Sequence, residues 1–348
     1  MTCGCTIIPD DVLLRFAADP EIPDETRQAL HHSAAISAQL RALRTQNAAL
    51  TLTALQLPLA PSPNPRPPRH ALPAGYVFDC HHTTTLPGVQ IAMPGSSPDG
   101  SVKRAYVESE GVAKFYWEAF KRDSIDNHHM SLVSSVHYGV KYNNAFWNGA
   151  QMTYGDGDGQ VFLDFTLGDD VIAHELTHGV TEHSLGLSYS GESGGLNESM
   201  SDVFGSMFRQ WEKQQDVTQA DWKIGADIMG PLSKQKGYTC LRDMAAPKNA
   251  HAMAPQPDHY YPGLGNLDPH YSSGPPNLAF YKAAMAIGGK SWEKAGKVWY
   301  KALTKAPPVP KMTMAQFAQR TRTLSTSLFP NDPSVHTAVH NAWTAVGL

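Results

Sequence analysis

The residues best placed to do chemistry stand together at His174-Glu175-Leu176-Thr177-His178. This is an H-E-x-x-H within an apolar-periodic stretch that includes Val171, Ile172, Leu176 and Val180. On a helix, positions i and i+4 share a face, so both imidazoles aim at one spot. Glu175 falls about 100° round the same helix, near a metal without having to ligate it. A carboxylate that takes a proton from attacking water must stand there. The metal this set suits is zinc, and a catalytic zinc needs a third protein ligand and an open position.

His183 follows closely but fails on spacing. Thr181 and Ser184 stand where the longer H-E-x-x-H-x-x-G-x-x-H pattern would want Gly and His. Glu198 is the better third ligand. It lies in Gly195-Leu196-Asn197-Glu198-Ser199-Met200-Ser201-Asp202, where Glu198 and Asp202 are again i and i+4 on a helix-like segment. One acid can ligate while the other orients a ligating imidazole through its free ring nitrogen. Alone, such a pair would read as two solvated acids on a surface helix. Behind an H-E-x-x-H it points to a centre of His174, His178 and Glu198, with Asp202 as the supporting acid.

The elements that must position these groups follow from composition and periodicity. Residues 1–56 are rich in Ala, Leu, Gln and Arg. Ala29, Leu30, Ile36, Leu40 and Leu43 recur at near-helical spacing between Asp24 and Arg44, after a short segment around Ile7–Phe16. The run PLAPSPNPRPPRH from Pro58 cannot be helix or central strand, so 57–73 is expected to be an extended, protease-accessible linker. From 74 to 184 the chain mixes β-type runs (Tyr76–Phe78, Ser131–Val140, Val161–Phe165) with a helix over Val107–Arg122, and ends in the H-E-x-x-H helix, Val171–Ser184. From 185 to 348 it is mostly helical, through Gly195–Gln210, Pro276–Ile287, Ser291–Lys305 and Pro333–Val346. Strands followed by helices predict an α+β lobe packed on an all-α lobe.

Bulk properties exclude several classes. With 348 residues, 41% hydrophobic and 17% charged, the chain has the composition of a soluble globular protein. A formal net charge of −4 gives no electrostatic reason to expect nucleic acid or an anionic membrane as partner. No apolar run approaches the roughly 20 residues of a membrane span. The segment MTCGCTIIPDDVLLRF is not a conventional secretory signal. Either the protein stays in the cytoplasm, or it is secreted by another route. Cys80 and Cys240 read as unpaired thiols. Cys3 and Cys5 form a C-x-C pair whose role stays open, because no second pair completes a structural zinc site.

HELTHGVTEHS followed by GESGGLNESMSDVFG resembles the thermolysin family of neutral zinc metallopeptidases. YNNAFWNGAQMTYGDGDG, Tyr142 to Gly159, is similar to that family's substrate-binding edge strand, and PHYSSGPPN, Pro269 to Asn277, to its catalytic-histidine segment. The match runs from about Tyr76 to Leu348. It implies a two-lobe zincin, a β-rich N-terminal lobe and an all-α C-terminal lobe with the zinc in the cleft between. Tyr189 and His270 would donate hydrogen bonds to the oxyanion as water adds to the scissile carbonyl, and Glu175 would move the proton to the leaving amine. Asn144 and the Ala145 carbonyl would hold substrate backbone, and Arg242 a substrate carbonyl beyond the scissile bond. Phe162, Phe165, Val171, Ile224 and Leu241 would line a pocket for a hydrophobic residue just after the cleaved bond (P1′). The activity implied is that of an endopeptidase acting on proteins and peptides, expected to be a monomer.

The chain also departs from the family pattern. Asp170, Asp221 and Asp227 remain at positions matching a double calcium site, but Arg209, Lys223 and Ala226 replace other acids. Calcium needs several oxygen ligands and little positive charge nearby, so the double site is expected to be absent. Gly265 stands where relatives carry an Asp that orients the catalytic histidine, and Asp268 lies two residues before His270, leaving open which acid does this. Ile7-Ile8-Pro9-Asp10-Asp11-Val12-Leu13-Leu14 resembles the compact propeptide of the protealysin subgroup. Residues 1–56 would then be a small helical, inhibitory propeptide, removed by the enzyme itself.

Overall fold

The computed structural model describes residues 5–47 and 72–348. The linker expected at 57–73 lies outside the described residues except for its last two positions. Two helices form the N-terminal unit: α1 (Asp10–Ala17) and α2 (Asp24–Asn47). Each opens on two acids in its first turn, Asp10 with Asp11 and Asp24 with Glu25, which complement the positive helix terminus. Val12, Leu13 and Phe16 of α1 are buried, with Leu30 and Ala34 of α2 in the same core, while Ile36 of α2 is buried in a separate cluster with Tyr138, Tyr142 and Phe146.

The next lobe rests on a five-stranded sheet: β1 (Gly75–Asp79), β2 (Val89–Gln90), β3 (Leu132–Val136), β4 (Ala145–Trp147) and β5 (Met152–Tyr154), ordered β2-β1-β3-β5-β4. The pairs β1–β3 and β3–β5 are parallel, and β2–β1 and β4–β5 antiparallel. A parallel β1–β3 pair needs a crossover, and α3 (Gly100–Phe120) supplies it. That helix begins seven residues before the expected Val107. Asp99 caps it, accepting from the backbone N–H of Ser101 and Val102. Val161–Phe165, read as a β-type run, makes only an isolated bridge from Phe162 to Met229 before a 3₁₀ turn at Phe165–Leu167. Backbone pairing across that bridge consists of the Leu163 N–H on the Ile228 carbonyl and the Gly230 N–H on the Val161 carbonyl, each at 2.9 Å.

Helix α4 (Asp169–Glu182) carries the H-E-x-x-H, and α5 (Gly191–Glu212) carries Glu198 and Asp202. Every α5 residue from Ser193 to Gln210 is buried, so α5 is the central helix of the molecule. Gly205 lets α4 and α5 approach: a Cβ there would sit 2.7 Å from the Asp170 carbonyl oxygen and 3.4 Å from the His174 nitrogen. The remaining elements are β6 (Lys223–Ile224), α6 (Pro231–Gln235), β7 (Arg242–Asp243), α7 (Pro269–Ser272), α8 (Gly274–Ile287), α9 (Ala295–Thr304), α10 (Met314–Leu328) and α11 (Pro333–Ala345). Strands β6 and β7 pair antiparallel, with Ile224 opposite Arg242. Helix α10 was not expected from the sequence, although Thr313 and Gln316 form a capping box at its start. No helix among the described residues is long and apolar enough to cross a membrane.

Candidate metal centre and active-site cleft

His174 and His178 project from one face of α4 with their Nε2 atoms 3.1 Å apart. Their other ring nitrogens are committed elsewhere. His174 Nδ1 lies 2.9 Å from Asp202 Oδ1, and His178 Nδ1 lies 2.8 Å from Asn197 Oδ1 and 3.0 Å from Ser201 Oγ. With both Nδ1–H groups donating, both Nε2 lone pairs face the same point. Glu198 meets them from α5, at 3.5 Å from His174 Nε2 and 3.4 Å from His178 Nε2. Its Oε2 is buried without a hydrogen-bond partner among the described residues. Two lone pairs and an orphaned carboxylate oxygen repel one another unless a cation lies among them, so this donor set fits zinc.

Electrostatics at the centre agree with that donor set. Burial pushes His178 down to about 3, aided by neighbouring His174, which keeps the imidazole neutral. Burial would raise Glu198, but the charged His270 outweighs it and holds the carboxyl below its usual value. Asp202 is likewise buried yet held well below the carboxylate range by Arg242 and His174. Arg242 grips Asp202 through two bonds of 2.8 Å, Nε to Oδ2 and NH2 to Oδ1, and Asn277 Nδ2 donates to Asp202 Oδ2 at 2.9 Å. Asp202 therefore carries His174, Arg242 and Asn277 at once.

Glu175 lies on the strand side of α4, where the Trp147 backbone N–H donates to its Oε2 at 2.9 Å. Tyr189 donates to Glu198 Oε1 at 2.5 Å, and its hydroxyl is 3.4 Å from His270 Nε2. Burial and Glu198 raise the Tyr189 phenol well above its ordinary value, so it keeps its proton. Asp268 is the acid that orients His270: its Oδ1 accepts from the His270 backbone N–H at 2.9 Å and lies 2.6 Å from His270 Nδ1. Burial opposes charge on His270, but Glu198 and Asp268 raise it to about 9. His183, set aside on spacing, is the exposed residue that ends α4.

Residues 6–8 occupy the cleft. Thr6 bridges antiparallel to Phe146 of edge strand β4, and Ile7 N–H donates to the Ala145 carbonyl at 3.1 Å. Asn144 holds both backbone groups of Ile8: Oδ1 accepts from its N–H and Nδ2 donates to its carbonyl, each at 3.0 Å. Arg242 NH1 donates to the Ile7 carbonyl at 3.0 Å, and His270 Nε2 lies 2.6 Å from the Thr6 carbonyl. Phe162, Phe165, Val171, Ile224 and Leu241 are all fully or almost fully buried, and they and Ile7 are part of the continuous hydrophobic core of the molecule. Helices α1 and α2 anchor this strand to both lobes. Ser37 bonds Tyr142, the Asn143 N–H donates to Ser33, Tyr271 bonds Asp11, and Lys236 pairs with Asp19 and Glu21.

Asn197, Ser201, Asn277 and the Trp147 N–H were not singled out from the sequence. Asn197 and Ser201 are i and i+4, the same signal that marked Glu198 and Asp202 one position along. Asn277 and Trp147 carried no such signal, because they reach the site from other elements. Away from the cleft, Arg209 NH1 is 3.1 Å from Asp169 and 3.6 Å from Asp170, and NH2 is 2.7 Å from Asp227. Lys213 adds a second cation on Asp169.

Comparison with known proteins places this site in a class. Residues 95–182 match the thermolysin metallopeptidase catalytic domain, and residues 185–348 match the thermolysin metallopeptidase alpha-helical domain. The chain belongs to the thermolysin family and is a zinc metalloendopeptidase. It is 38% identical to an extracellular metalloprotease of Pectobacterium carotovorum over 99% of this chain and 96% of the relative. Identity with protease PrtS of a Photorhabdus strain is 40%, over 78% of this chain and 76% of that one. The precursor of protealysin, a metalloproteinase of Serratia proteamaculans, superposes with a TM-score of 0.82 at 35% identity, covering 99% of both chains. The chain is accordingly precursor-like, with a segment preceding the catalytic domain.

Proposed function

We propose that His174, His178 and Glu198 hold the catalytic zinc, that Asp202 orients His174, and that Glu175, Tyr189 and His270 carry the hydrolysis. One observation supports this above the others: two imidazole lone pairs converge beside a buried carboxylate, one of whose oxygens lacks a donor. Zinc bound there supplies a Lewis acid for the scissile carbonyl and acidifies water. Glu175, steadied by the Trp147 N–H, accepts the water proton and passes it to the departing amine. Tyr189 and a protonated His270 donate to the developing oxyanion. Asn144 and Ala145 bind extended peptide by strand addition at β4, and Arg242 takes the carbonyl beyond the scissile bond.

The apolar surroundings of Phe162, Phe165, Val171, Ile224 and Leu241 support a preference for Phe or Leu at P1′. Residues 1–56 act as an inhibitory propeptide and 57–73 as the linker the enzyme cuts, leaving catalytic lobes of 74–184 and 185–348. The enzyme works as a monomer without paired calcium, because Arg209 already neutralises the acids at that place. It is released from the cell and acts on proteins and peptides.

Mapping the fragments that zinc-loaded, linker-cleaved protein produces from casein tests the reading. Cleavage before Phe and Leu is expected, and it should stop on chelation. Fragments with no apolar bias after the cut would remove the pocket assignment, and undigested casein would remove the peptidase assignment itself. Mass spectrometry of the mature N-terminus, from cells and from medium, tests both the cut in the linker and the release.

A further inference from the structure

Residues 6–8 meet the cleft much as a substrate would. The chain runs antiparallel to the edge strand, with the Thr6 carbonyl on His270 and the Ile7 carbonyl on Arg242. The Thr6–Ile7 peptide bond is thus offered to the groups assigned to cleave such bonds. Placement alone does not explain a stable precursor, since good placement favours cleavage. Something must deny water its position.

The residue before Thr6 is suited to that. Cys5 is fully buried, and its Sγ forms a group with a His178 ring nitrogen and a Glu198 oxygen in which all three atoms lie within 4.8 Å of one another. Zinc takes nitrogen and oxygen at about 2.0–2.2 Å and thiolate sulfur at about 2.3 Å in a tetrahedron, so Cys5 has to draw closer to these donors, and to His174 outside that group, for all of them to share one ion. A Cys, a Glu and two His would make a closed, four-ligand centre, whereas catalysis needs one position open.

We propose that Cys5, as thiolate, is the fourth zinc ligand of the latent precursor. This rests on the zinc-site reading above and extends it. In the structure Cys5 is disulfide-bonded, and a disulfide sulfur has no thiolate to give, so the redox state of Cys5 sets whether the cap forms. A dithiol reductant transfers two electrons to that bond. The S–S bond breaks into two thiols, the reductant becomes its own disulfide, and the Cys5 thiol releases its proton to water as the sulfur binds zinc. A disulfide oxidant reverses the exchange and withdraws the ligand.

The test uses the full-length precursor carrying Glu175→Gln, which leaves the linker uncut, with Co²⁺ in place of zinc. Samples are kept in dithiothreitol or in oxidised glutathione, and both bound cobalt and the near-ultraviolet sulfur-to-cobalt absorption are recorded. The reduced precursor should bind one cobalt and show the band, and the oxidised one should lack the band. Cys5→Ser should still bind one cobalt and lose the band, while Cys3→Ser should keep it. One cobalt without the band in the reduced precursor, or a band that survives Cys5→Ser, overturns the cap and leaves the zinc site standing. Failure of the reduced precursor to bind cobalt overturns both.

Discussion

The Nε2 of His270 lies 2.6 Å from the carbonyl oxygen of Thr6, although 264 positions separate the two residues. A group assigned to stabilise an oxyanion is thus engaged by a carbonyl of the same chain. Ile7 and Ile8 continue the contact along Ala145, Asn144 and Arg242. Replacing Ile7 with Asp would bury a charge in the apolar cluster it now joins, which is costly without a partner. Basal hydrolysis of a short fluorogenic peptide by the Ile7→Asp precursor should exceed that of the wild-type precursor at least tenfold. Equal activity with the linker intact would mean that residues 6–8 are not what blocks the cleft.

Asp202 supports His174, Arg242 and Asn277 from full burial. Asp202→Asn should weaken zinc binding by about 10–100-fold, the usual effect of removing a carboxylate behind a ligating imidazole. It also leaves the Arg242 guanidinium buried without its counter-charge, a loss on the order of 3–5 kcal/mol. Competition with a fluorescent chelator and urea unfolding read the two effects separately. Unchanged zinc affinity would remove Asp202 from the metal's support.

Gly205 sets the spacing between the helix of His174 and that of Glu198. A methyl group there would meet the Asp170 carbonyl at 2.7 Å, and backbone cannot swing aside as a side chain can. Gly205→Ala should therefore cost about 1–3 kcal/mol through overpacking, and it should weaken zinc binding because the ligands move apart. A variant with wild-type melting temperature and zinc affinity would show that the helices tolerate a wider gap.

Stability should carry a pH signature from His137. The hydrogen bond to Asp156 raises its imidazole to about 9, with Asp99 adding to the effect and partial burial opposing it. His82 faces the same ring at 5.5 Å between centroids. The folded value lies above the unfolded one, so the contribution is fully present below about pH 6.5 and fades as pH rises through about 9. With Asp99 partly exposed, screening leaves on the order of 1–2 kcal/mol. In a Glu175→Ala background, chosen to suppress the proposed peptidase activity, His137→Gln should unfold more easily in urea at pH 6 and match its parent at pH 10. A gap that widens with pH would reverse the assignment.

Much of this site could be read because helical period carries it. His174 with His178 and Glu198 with Asp202 are both i and i+4 pairs, and the structure brings the four together. The expected two-lobe α+β architecture is also present. Groups that reach the centre through other elements left no pattern in the chain. Asn277 bonds Asp202 from α8, and the Trp147 N–H bonds Glu175 from β4. Backbone donors carry no residue signature at all. Helix α10 escaped because Thr321 and Ser325 interrupt its buried stripe of Met314, Phe317, Ala318 and Leu324, though Thr313 and Gln316 spelled its capping box. The start of α3 escaped because Gly100 reads as loop until Asp99 is seen to cap it. Asp268, one candidate from the sequence, stands out as the acid on His270 only through its carboxylate beside His270 Nδ1.

The most direct test of the central claim is a zinc titration of linker-cleaved, metal-free protein, with peptide hydrolysis and bound zinc measured together. Activity should rise linearly and saturate at one zinc per chain. Glu175→Ala should bind the same single zinc while hydrolysing at least 100-fold more slowly, in keeping with the loss of a general base. Hydrolysis by metal-free protein, or a Glu175→Ala variant as active as wild type, would contradict a zinc peptidase built on His174, His178, Glu198 and Glu175.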